Sequence, residues 1–185
     1  MSERIQSLIN DLASGDMSAL GELYDILSGR VFNYALTITK NREMAEDATQ
    51  DVFLQINAQA ARLARISGQT AYIMVMTRHH AYNLLERASR AEPLPDEAPE
   101  LTVAPPRYDR LLFEEAFARL PASQRETVWL HLICGFTHKE VAKMHDAPLV
   151  TVKWRYGRAI KRLREYFIQS GYQPAKKEEN SYGSP

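Results

Sequence analysis

The sequence predicts an all-α protein: two small helical domains over 1–91 and 108–170, a flexible linker over 92–107 and a disordered tail over 171–185. Three observations carry this reading. Apolar residues in both halves recur at intervals of three and four, the period of one buried helical face, and no stretch alternates as a strand does. Glu92–Arg107 holds five prolines and four acids with little periodicity, which reads as an extended, mobile linker. The final segment, GYQPAKKEENSYGSP, is too poor in apolar residues to fold on its own.

The elements follow in order. A weak amphipathic segment spans Ile5–Leu12. Leu20, Leu23, Tyr24, Leu27, Val31, Tyr34, Ala35 and Ile38 then form a heptad-like stripe that ends near Lys40 and Asn41. Asn41 is placed to cap the next helix, whose apolar positions are Met44, Ala48, Val52 (or Phe53) and Ile56. Tyr24, Tyr34 and Phe53 all fit core positions. Ser67-Gly68 breaks the chain, and Tyr72, Ile73, Met76, Leu84 and Leu85 mark a helix running to about Ser89. The second domain opens near Tyr108 with a helix through Leu111, Leu112, Ala116 and Leu120. Pro121 punctuates, and Val128, Leu130, Leu132 and Ile133 form the following helix.

The segment FTHKEVAKMHDAPLVTVKWRYGRAIKRLR (Phe136–Arg164) is the most informative. Thr137 and Glu140 fit a capping box, which satisfies the free amides at a helix start. Val141, Ala142 and Met144 give that short helix an apolar face. Asp146 tolerates turn geometry, and Pro148 is preorganised for the first position of a new helix. Val152, Tyr156, Ile160, Leu163 and Phe167 then form one buried stripe. Lys153, Arg155, Arg158, Lys161, Arg162 and Arg164 lie on the other faces, with no acid among them. A capped helix, a turn and a basic helix make a helix-turn-helix, whose second helix suits a major groove.

Composition sets the outer bounds. The chain has 185 residues, is 45% hydrophobic and has zero formal net charge, the profile of a folded, soluble protein. No apolar run approaches a membrane span, and the start of the chain lacks a signal-peptide pattern, so a cytoplasmic location is expected. The single cysteine, Cys134, excludes an internal disulfide and fits a small core position. The histidines lack partners at ligand spacing, so no metal site and no cofactor is expected. No nucleophile–base pair or phosphate loop supports an enzyme. Neutrality hides an asymmetry: residues 1–92 carry 9 basic and 11 acidic side chains, whereas 108–170 carry 11 basic and 7 acidic. The two halves therefore suit different partners. An acidic stripe, Glu43, Asp47 and Asp51 with Glu46 and Gln50 beside it, runs along one face of the second long helix. Acids complement a helix N-terminus, which accounts for Glu43 and Glu46. Asp51 lies too far along for that and points to a docking face for a basic partner.

Two stretches carry a family resemblance. AEDATQDVFLQI (Ala45–Ile56) resembles the core-polymerase-binding helix of bacterial sigma factors. LPASQRETVWLHLICGFTHKEVAKMHDAPLVTVKWRYGRAIKRLRE (Leu120–Glu165) is similar to their promoter-binding C-terminal domain. Both motifs in this order, joined by a linker, resemble the extracytoplasmic-function group of the sigma-70 family. The resemblance implies docking on a coiled coil of the polymerase β′ subunit through Asp47, Gln50 and Asp51. It implies contacts with the −10 element from Arg62, Arg65, Ser67, Arg78, His79, His80 and Asn83, and capture of an unstacked base there. It implies that Thr151, Lys153, Trp154, Arg155, Arg158 and Arg162 enter the −35 element. Control by an anti-sigma factor clamped between the domains is also implied.

This chain departs from the family pattern at several of these positions. The family usually shows Asn where this chain has His79, Asp where it has Asn83, Trp where it has Tyr72, and a basic residue where it has Glu86. The familiar GTVKSR run is Val150–Arg155 here, with Trp154 in place of Ser. Trp154 either meets a thymine methyl or packs against a neighbouring helix or an inhibitor. His79 and His80 are either −10 contacts or an ordinary pair with one ring exposed and one partly buried. Arg62 and Arg65 suit phosphates better than bases. Two other readings are a free-standing helix-turn-helix regulator, which has no use for the acidic face, and a sigma-mimicking adaptor, which has none for the basic helix.

Overall fold

The computed structural model describes residues 2–91 and 109–172, so the expected linker and nearly all of the expected tail lie outside the described residues. The first domain consists of α1 (Ser2–Ala13), α2 (Ser18–Thr39), α3 (Arg42–Ala58), the single turn α4 (Ala60–Leu63) and α5 (Gln69–Ala91). The second consists of α6 (Asp109–Ala118), α7 (Ala122–Val128), a π-helical turn (Trp129–Ile133), α8 (His138–Met144) and α9 (Leu149–Gln169). No strand occurs among the described residues.

In the first domain α2 is the central element and packs against α1, α3 and α5. The spacing of its apolar residues explains this: Leu23, Leu27 and Val31 are fully buried and meet Leu8 and Ile9 of α1, Val52 and Ile56 of α3 and Ile73 of α5 in one core. The α2–α3 corner is fixed by two local devices. Lys40 takes the left-handed conformation (φ 52°) and returns its amide to the Leu36 carbonyl. Asn41 then caps α3, its side chain accepting from the Met44 amide at 2.9 Å. Tyr24 departs from the core role expected of it. It is half exposed, because its ring lies over Phe53 (4.8 Å between centroids) at the rim of the α2–α3 contact and its hydroxyl end faces water.

In the second domain α9 carries the core, with α6, α7 and α8 packed along it. Val152, Ala159 and Leu163 face Val128, Trp129, Leu130 and Val141. Ala116 and Leu120 are buried and Leu112 is half buried; the side chain of Leu111 lies outside the described ones. The capping box at Thr137 forms in full: the Glu140 amide donates to the Thr137 hydroxyl (3.3 Å), and the Thr137 amide donates to the Glu140 carboxylate (2.7 Å). Asp146 adopts a left-handed turn (φ 46°) between the two helices. Pro148 stands one position earlier than expected: its ψ of 141° makes it the cap of α9, and its carbonyl accepts the amides of Thr151 and Val152. The helix expected through Val128–Ile133 also changes character. At Trp129 it widens into a π turn, in which the Cys134 amide reaches back five residues to the Trp129 carbonyl (3.0 Å). The extra residue rotates Leu132 and Ile133 out to the surface and keeps Val128 and Leu130 inside. Burial raises the Cys134 thiol to about 11, which leaves it protonated and inert.

The two domains touch. α2 lies against α7 and α5 against α8, a contact that the periodicity of the helices did not announce.

Candidate nucleic-acid interface

α9 divides its side chains cleanly. Val152, Ala159 and Leu163 are buried, and Tyr156 meets the stacked rings of His131 (4.8 Å) and His138 (4.9 Å) edge-on. These rings fasten α8 to α9 and set the angle of the helix pair. Burial, then the neighbouring charges of His131 and Lys153, lowers the basicity of His138. The opposite face is bare: Val150 is 73% exposed and Trp154 60%, with Lys153, Arg158, Lys161 and Arg164 beside them. The Arg158 guanidinium sits 5.7 Å from the centre of the Trp154 ring. Trp154 therefore does not pack against a neighbouring helix. Thr151 and Arg155 are half buried on the flank, and Arg162 turns its exposed side chain toward Gln124 of α7 at 3.4 Å.

On α3 the buried positions Ala45, Ala48, Val52 and Ile56 leave Glu43, Asp47 and Gln50 exposed on the far side. Asp51 sits at the edge of that face and turns toward α5, where its carboxylate lies 3.5 Å from Nδ1 of His80. The other ring nitrogen of His80 lies 2.6 Å from Gln55. Next to it, His79 is exposed and meets the Asn83 amide at 3.3 Å. Residues expected to serve two different partners thus share one cleft between α3 and α5, lined by Asp51, Gln55, His79, His80, Asn83 and Arg87. Burial lowers the basicity of His80 despite the carboxylate nearby. Arg62 rests its guanidinium near the Tyr72 ring (5.8 Å), and Arg65 and Ser67 are exposed on the loop before α5. Gln69 pins that loop by donating to the Ile66 carbonyl at 2.7 Å.

Arg78 does not join this group. Its guanidinium points to the other domain and donates to Glu126 of α7 at 3.0 Å. Glu126 is 2% exposed and also accepts from the hydroxyls of Tyr82 (2.5 Å) and Tyr34 (3.3 Å), while His145, just after α8, lies 3.6 Å away, too far for a hydrogen bond. The neighbouring Arg125, also buried, donates to the Thr37 carbonyl (3.1 Å) and to that of Leu120 (2.8 Å). Burial and the Glu126 charge push the Tyr82 hydroxyl up to about 12 and that of Tyr34 well above its ordinary value, so both remain donors. None of Glu126, Arg125, Tyr34 and Tyr82 was marked as functional by the sequence. One signal was present: Glu126 lies four residues before Leu130 and so falls on a buried helical face, where a carboxylate needs partners.

Two family matches divide the chain at the same place as the fold. Sigma-70 region 2 matches residues 23–91, and sigma-70 region 4 matches residues 110–163. The chain belongs to the sigma-70 family. Full-length relatives place it in the extracytoplasmic-function group. It is 24% identical to the ECF RNA polymerase sigma factor SigK of Mycobacterium tuberculosis, over 89% of this chain and 94% of that one. It is also 24% identical to SigK of Mycolicibacterium vanbaalenii, over 87% and 88%. Among solved structures, the sigma factor RpoE of Bartonella quintana, bound to the anti-sigma factor NepR, superposes with a TM-score of 0.68 at 22% identity, covering 80% of this chain and 96% of that one. CnrH bound to the cytosolic domain of CnrY superposes at 0.64 and 19% identity, covering 90% and 98%. As a sigma factor the chain directs RNA polymerase to promoters and initiates transcription. Among the described residues, no helix of this sigma factor is long and apolar enough to cross a membrane.

Proposed function

We propose that this sigma factor divides its work between the faces just described. The acids of α3, exposed Asp47 and half-buried Asp51, with Gln50 between them, dock on the basic side of the polymerase β′ coiled coil. The cleft holding His79, His80 and Asn83, with Arg62, Arg65 and Ser67 on the adjoining loop, receives the −10 element. Thr151, Lys153, Trp154, Arg155, Arg158 and Arg162 on α9 take the −35 element, Arg162 after leaving Gln124. Arg78 reaches DNA only after leaving Glu126. The observation that carries this reading is that an acidic and a basic helical face, each bare, stand on separate domains. The chain supplies specificity and no bond chemistry, and its place is with the polymerase in the cytoplasm.

Control by an anti-sigma factor fits the same surfaces. Two structural relatives, RpoE and CnrH, were solved with NepR and with the cytosolic domain of CnrY, and the bare apolar positions Val150 and Trp154 offer such a partner a foothold on this chain.

Docking is tested by size-exclusion chromatography of the chain with core polymerase. Asp47→Arg is the cleaner variant, because Asp51 also supports His80. Co-elution that Asp47→Arg abolishes supports the assignment; co-elution that survives it removes α3 from the interface. Promoter binding without any co-elution would favour the free-standing regulator.

A further inference from the structure

Three features of α9 bear on which bases it reads. The first is Trp154 itself, 60% exposed and covered by nothing except the guanidinium of Arg158, 5.7 Å from its centre. The second is the contrast among the basic residues around it. Lys161 is 3.8 Å from Glu165, and Arg162 leans on Gln124, whereas Arg158 pairs with no carboxylate among the described residues. Its guanidinium lies over the indole one helical turn away and within cation–π range. The third is Gly157, which lies between Trp154 and Lys161 on the same exposed side. A Cβ added there would meet nothing within 4 Å, and no left-handed backbone demands glycine. A glycine inside a helix is less stable there than alanine. Gly157 leaves the exposed side between Trp154 and Lys161 without a side chain.

We infer that Trp154 and Arg158 read the −35 element as one unit, recognising a thymine next to a guanine. This rests on the reading that α9 enters the major groove there. A guanidinium presents two parallel donors to O6 and N7 of guanine, a pattern no other base pair edge offers in that groove. Contact with the indole limits the positions open to the guanidinium, so less side-chain freedom is lost on binding. The outer edge of the indole then meets the adjoining base, and an apolar surface at that point favours the C5-methyl of thymine. Gly157 lets the helix sink close enough for both contacts.

The test uses holoenzyme assembled from the full chain and core polymerase, and a duplex library randomised across the −35 element. Wild-type holoenzyme should select adjoining thymine and guanine at fixed positions. Arg158→Ala should lose the guanine preference by on the order of tenfold to a hundredfold. Trp154→Ser should weaken the preference at both positions. Uracil in place of the thymine removes only the methyl, so it should weaken wild-type binding several-fold and leave Trp154→Ser unaffected. Gly157→Ala should make the helix more stable and promoter binding weaker, opposite signs that a purely structural glycine would not give. Selected sites without the thymine–guanine step, or a Trp154→Ser variant selecting the same sequence as strongly, would overturn the inference and leave groove binding standing. No sequence selection anywhere in the randomised element would remove α9 from the groove and the inference with it.

Discussion

Three donors from the first domain converge on the Glu126 carboxylate, which with Arg125 ties the halves of the molecule together. Burying a carboxylate costs several kcal/mol in lost hydration, and only a full set of partners offsets that. Glu126→Ala removes the acceptor and leaves the buried Tyr34 hydroxyl without its partner. The expected loss is about 2 kcal/mol, at the low end for a broken buried pair because Arg78 retains access to water; a urea midpoint measures it. His145 adds a pH dependence. Burial lowers its basicity and outweighs the attraction of Glu126, with Arg78 and Arg155 adding to the lowering. Its folded-state pKa is thus below the ordinary value of about 6.5, so the unfolded chain binds the proton more readily. This contribution to stability is complete above that value and is lost as the pH falls through the folded one. Melting temperature should therefore drop between pH 7 and pH 5, and His145→Gln should flatten the slope without abolishing it, since His80 and His138 shift the same way.

Among the elements, α8 shows what a sequence makes plain. Its capping box depends on two residues three apart, and both bonds form as the spacing requires. Thr137→Ala should cost about 1 kcal/mol, read from the same denaturation curve, and should loosen the α8–α9 pair before the rest. The buried stripe of α9 and the corner at Asn41 were legible for the same reason, because neighbours in the chain decide them. The π turn at Trp129 was not. No residue type encodes it, and it follows from fitting Trp129 and Leu130 into a core that α9 supplies. The Asp51–His80 contact was hidden likewise, since it joins two helices whose relative rotation is set by packing. Each residue of the basic helix that holds a phosphate adds about 0.9 to the slope of log affinity against log salt. Lys153→Ala with Arg155→Ala should therefore lower the slope for promoter DNA by about two. An unchanged slope would take both away from the backbone.

At the scale of the whole molecule, the partners of Glu126 lie 44, 48 and 92 residues away in sequence, which is why no local pattern revealed that the domains meet. Distance reporters check the arrangement. Labels on cysteines introduced at Glu43 and Gln169 react ahead of the protonated Cys134, and their transfer efficiency should be high in the free chain and fall when core polymerase binds. A compact chain of this length is about 40 Å across. On the proposed reading the two halves take elements whose −35 and −10 positions place them about 25 base pairs apart, roughly 85 Å of duplex at about 3.4 Å a step. A chain that compact is shorter than this span, so on the proposed reading its halves part to reach both elements, and parting exposes Glu126, Tyr34 and Arg78 to water together. On that reading, the readiness of this sigma factor to start transcription depends in part on releasing a carboxylate buried between its halves.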